Sequence, residues 1–335
     1  MKDLGKGAVV ILEVGEDGAG QRLDNFLLKR LKGAPQSLIY RIIRSGEVRV
    51  NKGRAAALTK LALGDLVRVP PVRLEPGPGA AGTPAGTAAK RPASGQVRAG
   101  ADLEIIFEDD ALLAINKPSG LAVHGGSGVS FGVIEALRAA RPEAKFLELV
   151  HRIDRDTSGV LLLAKKRSAL VAMHALMREG KTDKRYLALI KGAWPHTAKH
   201  HIKTALAKYT TSEGERRVAE AGDEEYAKEA HTIVSVAKRF DAAGTGAMTL
   251  LEAQIKTGRT HQIRVHLASA GYPIAGDDKY GDFAFNKAET QRGLKRMFLH
   301  AAKMGFVHPL TAERIRIEAP LPAECERYLA QLGKP

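Results

Sequence analysis

The chain has 335 residues, 44% of them hydrophobic and 27% charged. That allows two domains with substantial cores and excludes wholesale disorder. No apolar stretch of about 18 residues exists, so no membrane-spanning helix is expected. The run Val9–Leu12 is too short for a signal-peptide core. One cysteine, Cys325, excludes a disulfide framework and a cysteine-only metal site. A cytoplasmic chain is expected. Lys plus Arg number 52 against 37 for Asp plus Glu, a net charge of +15. Such a surface attracts phosphates by releasing their counterions, which points to nucleic acid, RNA first.

Residues 1–19 are Gly-rich and read as an extension, with Val9–Val14 as a strand. Residues 20–73 read as a compact basic unit. Leu23, Phe26, Leu27 and Leu31 recur at helical spacing, so Arg22–Leu31 is predicted as a helix ending near Gly33 and Pro35. Ser37 is placed to cap a second helix, with Leu38, Ile42 and Ile43 inward and Arg41 and Arg44 outward. Gly46–Gly53 reads as a strand and turn, and Gly64–Val69 as another strand. Residues 1–73 hold fourteen Lys or Arg and seven Asp or Glu. A solvated helix face would account for that surplus. Two arginine-bearing helices beside a basic turn favour a grip on an RNA backbone, through Arg22, Arg41, Arg44, Arg49, Asn51, Lys52 and Arg54.

Residues 74–100 are dominated by Gly, Pro, Ala and Thr, lack apolar periodicity and read as a flexible linker. Residues 101–335 read as one domain. Strands are predicted over Leu103–Phe107, Leu112–Asn116, Phe146–Val150, Val160–Ala164, Tyr186–Ile190, Thr232–Val236 and Leu250–Ile255. Helices are predicted over Ser168–Arg178 and over Thr260–Ala270, the latter capped by Thr260 and closed by Gly271. Without regular alternation of strand and helix, the order implies an α+β sheet domain, not a Rossmann or barrel fold.

The densest polar segment is His151–Gly159, a loop between two apolar strands. It offers Asp154 and Asp156, flanked by Arg152 and Arg155. It is either a salt-bridged connection or the site of one carboxylate acting as nucleophile or base. In Thr257–His266, Arg264 borders the apolar stripe of Ile263, Leu267 and Ala270, so it needs a carboxylate partner. His261 and His266 lie about 140° apart on a helix and share no face. No metal-ligand spacing occurs, so no metal is expected. Asn116–Leu121 and the glycine-rich His124–Gly128 lack both phosphate-loop patterns. Tyr186 opens an apolar strand and alone reads as a core or interface aromatic. Gly276–Gly281 is a tight polar turn.

Together, and in this order, Asn116–Leu121, His151–Gly159, Tyr186, Thr257–His266, Gly276–Gly281 and Leu299–Ala301 resemble the landmarks of the pseudouridine synthases that modify ribosomal RNA. Residues 21–54 resemble the S4 RNA-binding domain fused to one branch of that family. With Val69–Arg73 they look closest to the type C branch of the large-subunit enzymes. The likeness covers residues 20–73 and 101–330. Ile153 departs from the family's usual leucine but stays apolar.

The resemblance implies a small S4-like α/β domain joined to a mixed, largely antiparallel sheet flanked by helices. It implies isomerisation of several uridines in large-subunit ribosomal RNA, naked or in an early assembly particle. No cofactor, metal, membrane or protein partner is implied, and a monomer is expected. Asp154 matches the catalytic aspartate, Tyr186 the tyrosine that stacks on the target base and Arg264 the basic partner of that aspartate. Arg152 matches an arginine that holds the flipped nucleotide. Asp24, in a similar Arg-Leu-Asp triplet, falls in the RNA-binding unit and is a decoy. Two other readings compete: an assembly factor that kept the fold without activity, and a glycoside hydrolase using Asp154 and Asp156 across a sugar cleft.

Overall fold

The computed structural model describes residues 9–15, 18–31, 34–72, 103–125, 132–212, 214–222, 226–242 and 246–333. The chain divides into two compact units, Met1–Gln96 and Val97–Pro335. The linker expected over 74–100 lies outside the described residues, as do residues 126–128 of the glycine-rich run.

The N-terminal unit contains β1 (Val10–Glu13), α1 (Leu23–Arg30), α2 (Gln36–Arg44), β2 (Arg49–Val50), β3 (Gly53–Arg54) and β4 (Leu66–Val69). Its antiparallel sheet has the order β1-β4-β2-β3. The segment expected to be an extension therefore supplies an edge strand, with Val10 opposite Val69. Leu23, Phe26 and Leu27 of α1 meet Ile39, Ile42 and Ile43 of α2 in one core with Val48, Leu61 and Val67. Ser37 does not cap α2. Pro35 stands at that position, its fixed φ starting the helix before Ser37. That shift makes Ile39 the buried residue and leaves Leu38 only partly covered.

The C-terminal unit begins with β5 (Ile105–Glu108), β6 (Leu112–Lys117), α3 (Val133–Ala140), β7 (Glu148–Leu149), β8 (Ser158–Ala164), α4 (Arg167–Arg178) and β9 (Asp183–Lys191). There follow β10 (His200–Lys203), β11 (Leu206–Thr210), β12 (Arg216–Glu220), β13 (His231–Ala242) and β14 (Gly246–Ile255). Then come α5 (Gln262–Ser269), α6 (Phe283–Gln291), β15 (Leu299–Val307), β16 (Arg314–Glu318) and α7 (Ala323–Leu332). A ten-stranded sheet runs β10-β13-β14-β9-β15-β8-β6-β5, with β16 on β15 and β7 on β8. Among the described residues, the pairing of β15 with β8 is parallel and the others are antiparallel.

The central strand β8 is buried at every position, which is why its sequence is continuously apolar. Leu161 and Leu163 join Leu113 and Ile115 on the face covered by α3 and α5. Val160, Leu162 and Ala164 join Leu112 and Ala114 on the other face, under α4. Each such aliphatic side chain contributes about 1.5–3 kcal/mol on burial. Gly159 (φ +107) sits where β8 meets β15; a Cβ there would lie 2.2 Å from the Ala301 carbonyl oxygen.

The strand expected over Phe146–Val150 is only the two residues of β7. Phe146 is apolar because it packs on the α4 side of the sheet, not because it joins a ladder. Helices α3, α6 and α7 and strands β10, β11, β12, β15 and β16 have no counterpart among the elements expected from the sequence. Among the described residues, no helix is long and apolar enough to cross a membrane.

Candidate active site

The loop His151–Thr157 is pinned at three points. At its start, His151 Nε2 accepts the Leu162 N–H at 3.1 Å. Beneath it lies Lys117, with no exposed surface, whose Nζ donates to the carbonyls of Pro118 (2.8 Å), Leu121 (2.8 Å) and Arg155 (2.9 Å). Alongside, Gly120 N–H donates to the Arg155 carbonyl and Ser119 Oγ to that of Asp156. The turn Asn116–Leu121 thus buttresses the loop. Thr157 N–H closes the tight turn on the Asp154 carbonyl at 3.2 Å.

This scaffold turns Asp154 into a cavity of about 90 Å³ lined also by Arg152, Tyr186, His261, Arg264 and Leu299. Asp156 instead pairs with Arg155 and lines a different cavity of about 770 Å³. The two carboxylates therefore do not face each other across one cleft, which removes the geometric basis of the glycosidase reading. The Asp154 side chain keeps 26% of its surface exposed, so it is neither buried nor in bulk solvent.

Arg264, on α5, is 3% exposed. Its main partner is Asp277, 1% exposed, to which Nε and Nη2 donate at 2.7 Å each. Nη1 reaches Asp154 Oδ2 at 3.3 Å, and Nη2 reaches Asp278 at 3.3 Å. The expected pair with Asp154 exists, but it is the longer contact of a cluster. Burial opposes the Arg264 charge, yet the bonds and charge of Asp277, then of Asp154, hold its pKa above the ordinary value. Burial likewise opposes the Asp277 anion, and Arg264 holds that carboxyl below its usual range. Asp277 sits in the Gly276–Gly281 turn, a weak signal as sequence. Gly276 (φ +76) fixes that turn, since a Cβ would lie 2.2 Å from the Arg296 carbonyl oxygen.

Tyr186 lies on β9, 8% exposed, opposite Ala301 of β15. Burial, then the Asp154 charge, pushes its hydroxyl above the usual value, so it stays a neutral phenol. Its ring can therefore present a face, but the oxygen is a poor base at neutral pH. Arg152 is exposed at the rim.

His261, which by spacing alone is only a poor metal ligand, also belongs to the site. It precedes α5 with φ 53, ψ 20, in the left-handed region unusual for a residue with a Cβ. The side chain of Thr260 makes no cap. His261 stands at the cap position and no side chain caps α5; Gln262, in the first turn, reaches back to the preceding loop, its Oε1 accepting from Thr257 Oγ1 and Arg259 N–H. The His261 ring approaches Asp154 Oδ1 at 3.9 Å through Nε2, while Nδ1 bonds the Tyr280 hydroxyl at 2.8 Å. That hydroxyl also accepts the Val218 N–H, so its own hydrogen is free to go to Nδ1. The proton of neutral His261 then sits on Nε2, facing Asp154. Burial pulls its pKa down, against Asp154 and with Arg264. His266, by contrast, spends both ring nitrogens on Thr232 and Thr204 inside the core.

The family model for RNA pseudouridylate synthase matches residues 111–269, and that for the S4 domain matches residues 21–67. Ribosomal large subunit pseudouridine synthase C of Pasteurella multocida (strain Pm70) is 53% identical over 329 residues, covering 97% of this chain and 94% of that one. The protein of the same name from Escherichia coli (strain K12) is 51% identical, covering 97% of both chains. The chain belongs to the RNA pseudouridylate synthase family. The human RNA pseudouridylate synthase domain containing 1 structure is 26% identical, with a TM-score of 0.56, over 68% of this chain and 86% of that one. The synthase is thus an isomerase that carries its own S4 RNA-binding domain, beside the expected mixed, mostly antiparallel sheet domain.

In the S4 domain the basic candidates divide. Arg41, Arg44 and Lys52 are exposed and make no side-chain hydrogen bond to the other described residues. Asn51 and Lys52 (φ 48 and 68) form the turn between β2 and β3, which lifts Lys52 to the tip. Arg54 reaches back to the Ser45 carbonyl at the end of α2, close to Arg44 in the chain. Arg49 bonds the Lys52 carbonyl. Two exposed candidates are committed to partners within the domain. Arg22 pairs with buried Asp24, which Tyr40 also bonds at 2.9 Å. The Asn51 side chain holds Asp65 and the Leu66 N–H. Asp24, the decoy, is a structural anion.

Proposed function

We propose that the synthase converts several uridines of large-subunit ribosomal RNA to pseudouridine, in naked RNA or an early assembly particle, using Asp154 as the reacting carboxylate. The observation that carries the residue assignment is the convergence of Asp154, Tyr186, Arg264 and Arg152 on one cavity. That convergence also argues against an inactive assembly factor. The names of the relatives support ribosomal RNA as the substrate and hence the cytoplasm as the site of action.

The chemistry is an isomerisation. The N1–C1′ bond breaks, the base turns, C5 bonds to C1′, C5 loses its proton and N1 gains one. Reaching the ribose requires the uridine to leave its stack, at about a few kcal/mol. The buried face of Tyr186 offsets that by stacking, worth about 1–3 kcal/mol. Asp154 then attacks C1′ or removes the 2′ proton. Arg264, locked by Asp277, keeps a fixed positive charge beside the carboxylate, so no reorganisation is needed as charge moves. His261 Nε2 faces the other carboxylate oxygen at 3.9 Å. Arg152 at the rim holds the extruded nucleotide, and Arg41, Arg44, Arg49, Lys52 and Arg54 of the S4 domain bind backbone. Arg22 and Asn51, engaged with partners inside the domain, contribute mainly to the S4 fold.

The test is to map pseudouridines in large-subunit ribosomal RNA from cells lacking the gene, complemented with wild type or Asp154→Asn. Wild type should restore the modifications and Asp154→Asn should not, while purified Asp154→Asn still binds the RNA. Restoration by Asp154→Asn would remove the carboxylate from the mechanism.

A further inference from the structure

Beside the catalytic cavity lies a second one of about 480 Å³, and Gly258 and Arg259 line both. Its floor is apolar: Leu206 of β11 and Val218 of β12 belong to a small core with Val265 of α5. Its walls are Lys208, Lys228, Tyr226 and Arg259. Three of these are cationic, and none of the lining residues described is acidic. Tyr226 is 69% exposed, an unusual state for a large aromatic. Lys208 and Lys228 are also exposed. Arg259 is steadied at the junction, its Nε donating to the Glu229 carbonyl at 2.9 Å.

We propose that this cavity binds a nucleotide adjacent to the target uridine, its base against Tyr226 and its phosphates against Lys208 and Lys228. The inference rests on the RNA substrate proposed above. The volume falls in the range of about 300–1,000 Å³ typical of ligand pockets, where the catalytic cavity is smaller. Continuity decides the occupant. A strand that delivers one nucleotide to Asp154 must lead its neighbour over Gly258, where no side chain obstructs it. Arg259 then stands at the phosphate joining the two. A cationic wall with an open aromatic face and an apolar floor is the combination that holds unstacked single-stranded RNA. Tyr226, standing over the floor supplied by the hairpin β11–β12, therefore selects for an unpaired neighbour.

The test uses a short fragment of large-subunit ribosomal RNA that the wild-type enzyme converts, with each neighbour of the target made abasic in turn. Removing one of the two neighbouring bases should raise the wild-type KM about tenfold. Tyr226→Ala should raise it comparably on the intact fragment, Tyr226→Phe should recover most of the loss, and Tyr226→Ala should lose little more on the abasic fragment. Lys208→Ala with Lys228→Ala should lower the salt dependence of log KM by about 0.7 for each phosphate no longer neutralised. If wild type converts the fragment but Tyr226→Ala and both abasic fragments leave KM unchanged, or if their effects simply add, the pocket is overturned and the catalytic reading stands. If this RNA is converted neither as a fragment nor within an assembly particle, both fall.

Discussion

Arg264 holds Asp277 through two bonds of 2.7 Å and Asp154 through one of 3.3 Å. The buried pair is therefore structural, and the reacting carboxylate is its guest. Breaking it from the Asp277 side leaves a buried guanidinium half-satisfied, which costs about 3–5 kcal/mol. Asp277→Asn should lower the urea midpoint substantially and reduce activity with it. Asp154→Asn should leave the midpoint nearly unchanged while abolishing conversion by about three orders of magnitude or more. Equal destabilisation by the two variants would contradict this division of roles.

Lys117 fastens two segments of the site with one buried charge. Burial draws its pKa from 10.5 down to about 7, against the charges of Asp156 and Asp154. In the protonated form three carbonyls take its three hydrogens, the full donor set of an ammonium group. Lys117→Met leaves those carbonyls without a donor, at about 1–3 kcal/mol each before water enters. Stability should fall by several kcal/mol in total, and the amides of Gly120 and Thr157 should exchange faster. Unchanged exchange at both would mean the loop does not depend on this lysine.

His300 sets an acid limit on stability. It is 1% exposed, accepting from Ser158 Oγ at Nδ1 and donating to the Ala319 carbonyl from Nε2. Burial, with Arg296 nearby, lowers its pKa from 6.5 to about 4. The folded state thus binds fewer protons than the unfolded chain between these values, so this contribution is complete above about 6.5 and lost as pH falls toward 4. The slope is about 1.4 kcal/mol per pH unit within the window. Measured unfolding free energies should decline over that range, and His300→Gln should flatten the decline. A wild-type curve flat from pH 6.5 to 4 would be inconsistent with a buried neutral imidazole.

The exposed cations of the S4 domain should act on affinity rather than chemistry. Arg41→Ala, Arg44→Ala and Lys52→Ala combined should weaken RNA binding and reduce the salt slope by about 0.7–0.9 for each phosphate left without its cation. Turnover at saturating RNA should hardly change, because these residues belong to a different unit from Asp154. Gel-shift titrations at several salt concentrations, paired with single-turnover assays, check both parts.

Elements governed by local periodicity are legible in the sequence. Helices α1, α2 and α4 and strands β6, β8 and β9 follow from their apolar spacing, to within a residue or two at most ends. The loop around Asp154 is legible because polar density between two apolar strands is a local signal. Where a side chain's role depends on a distant segment, spacing fails. Asp277 reads as turn chemistry, since nothing near it marks Arg264. Lys117 reads only as part of a turn, and nothing in its neighbours shows that it is completely buried. Thr260 and Ser37 have the right chemistry for caps, but the backbone puts His261 and Pro35 at those positions. Helix α3, with Val133, Ile134 and Leu137 buried, carries a periodic signal of only two turns; α6, short and weakly amphipathic, carries little.

The amino-acid order alone determined the charge that attracts RNA, the two-part organisation and the presence of one loop rich enough in polar groups to do chemistry. These are additive or short-range properties, carried by each residue and its near neighbours. Only the tertiary structure decided which carboxylate faces the cavity and which arginine stands beside it. It also decided that a second acid, 123 positions beyond the first, holds that arginine still. Burial and charge pairing depend on groups brought together across the sheet, and such distances are set by packing rather than by sequence separation.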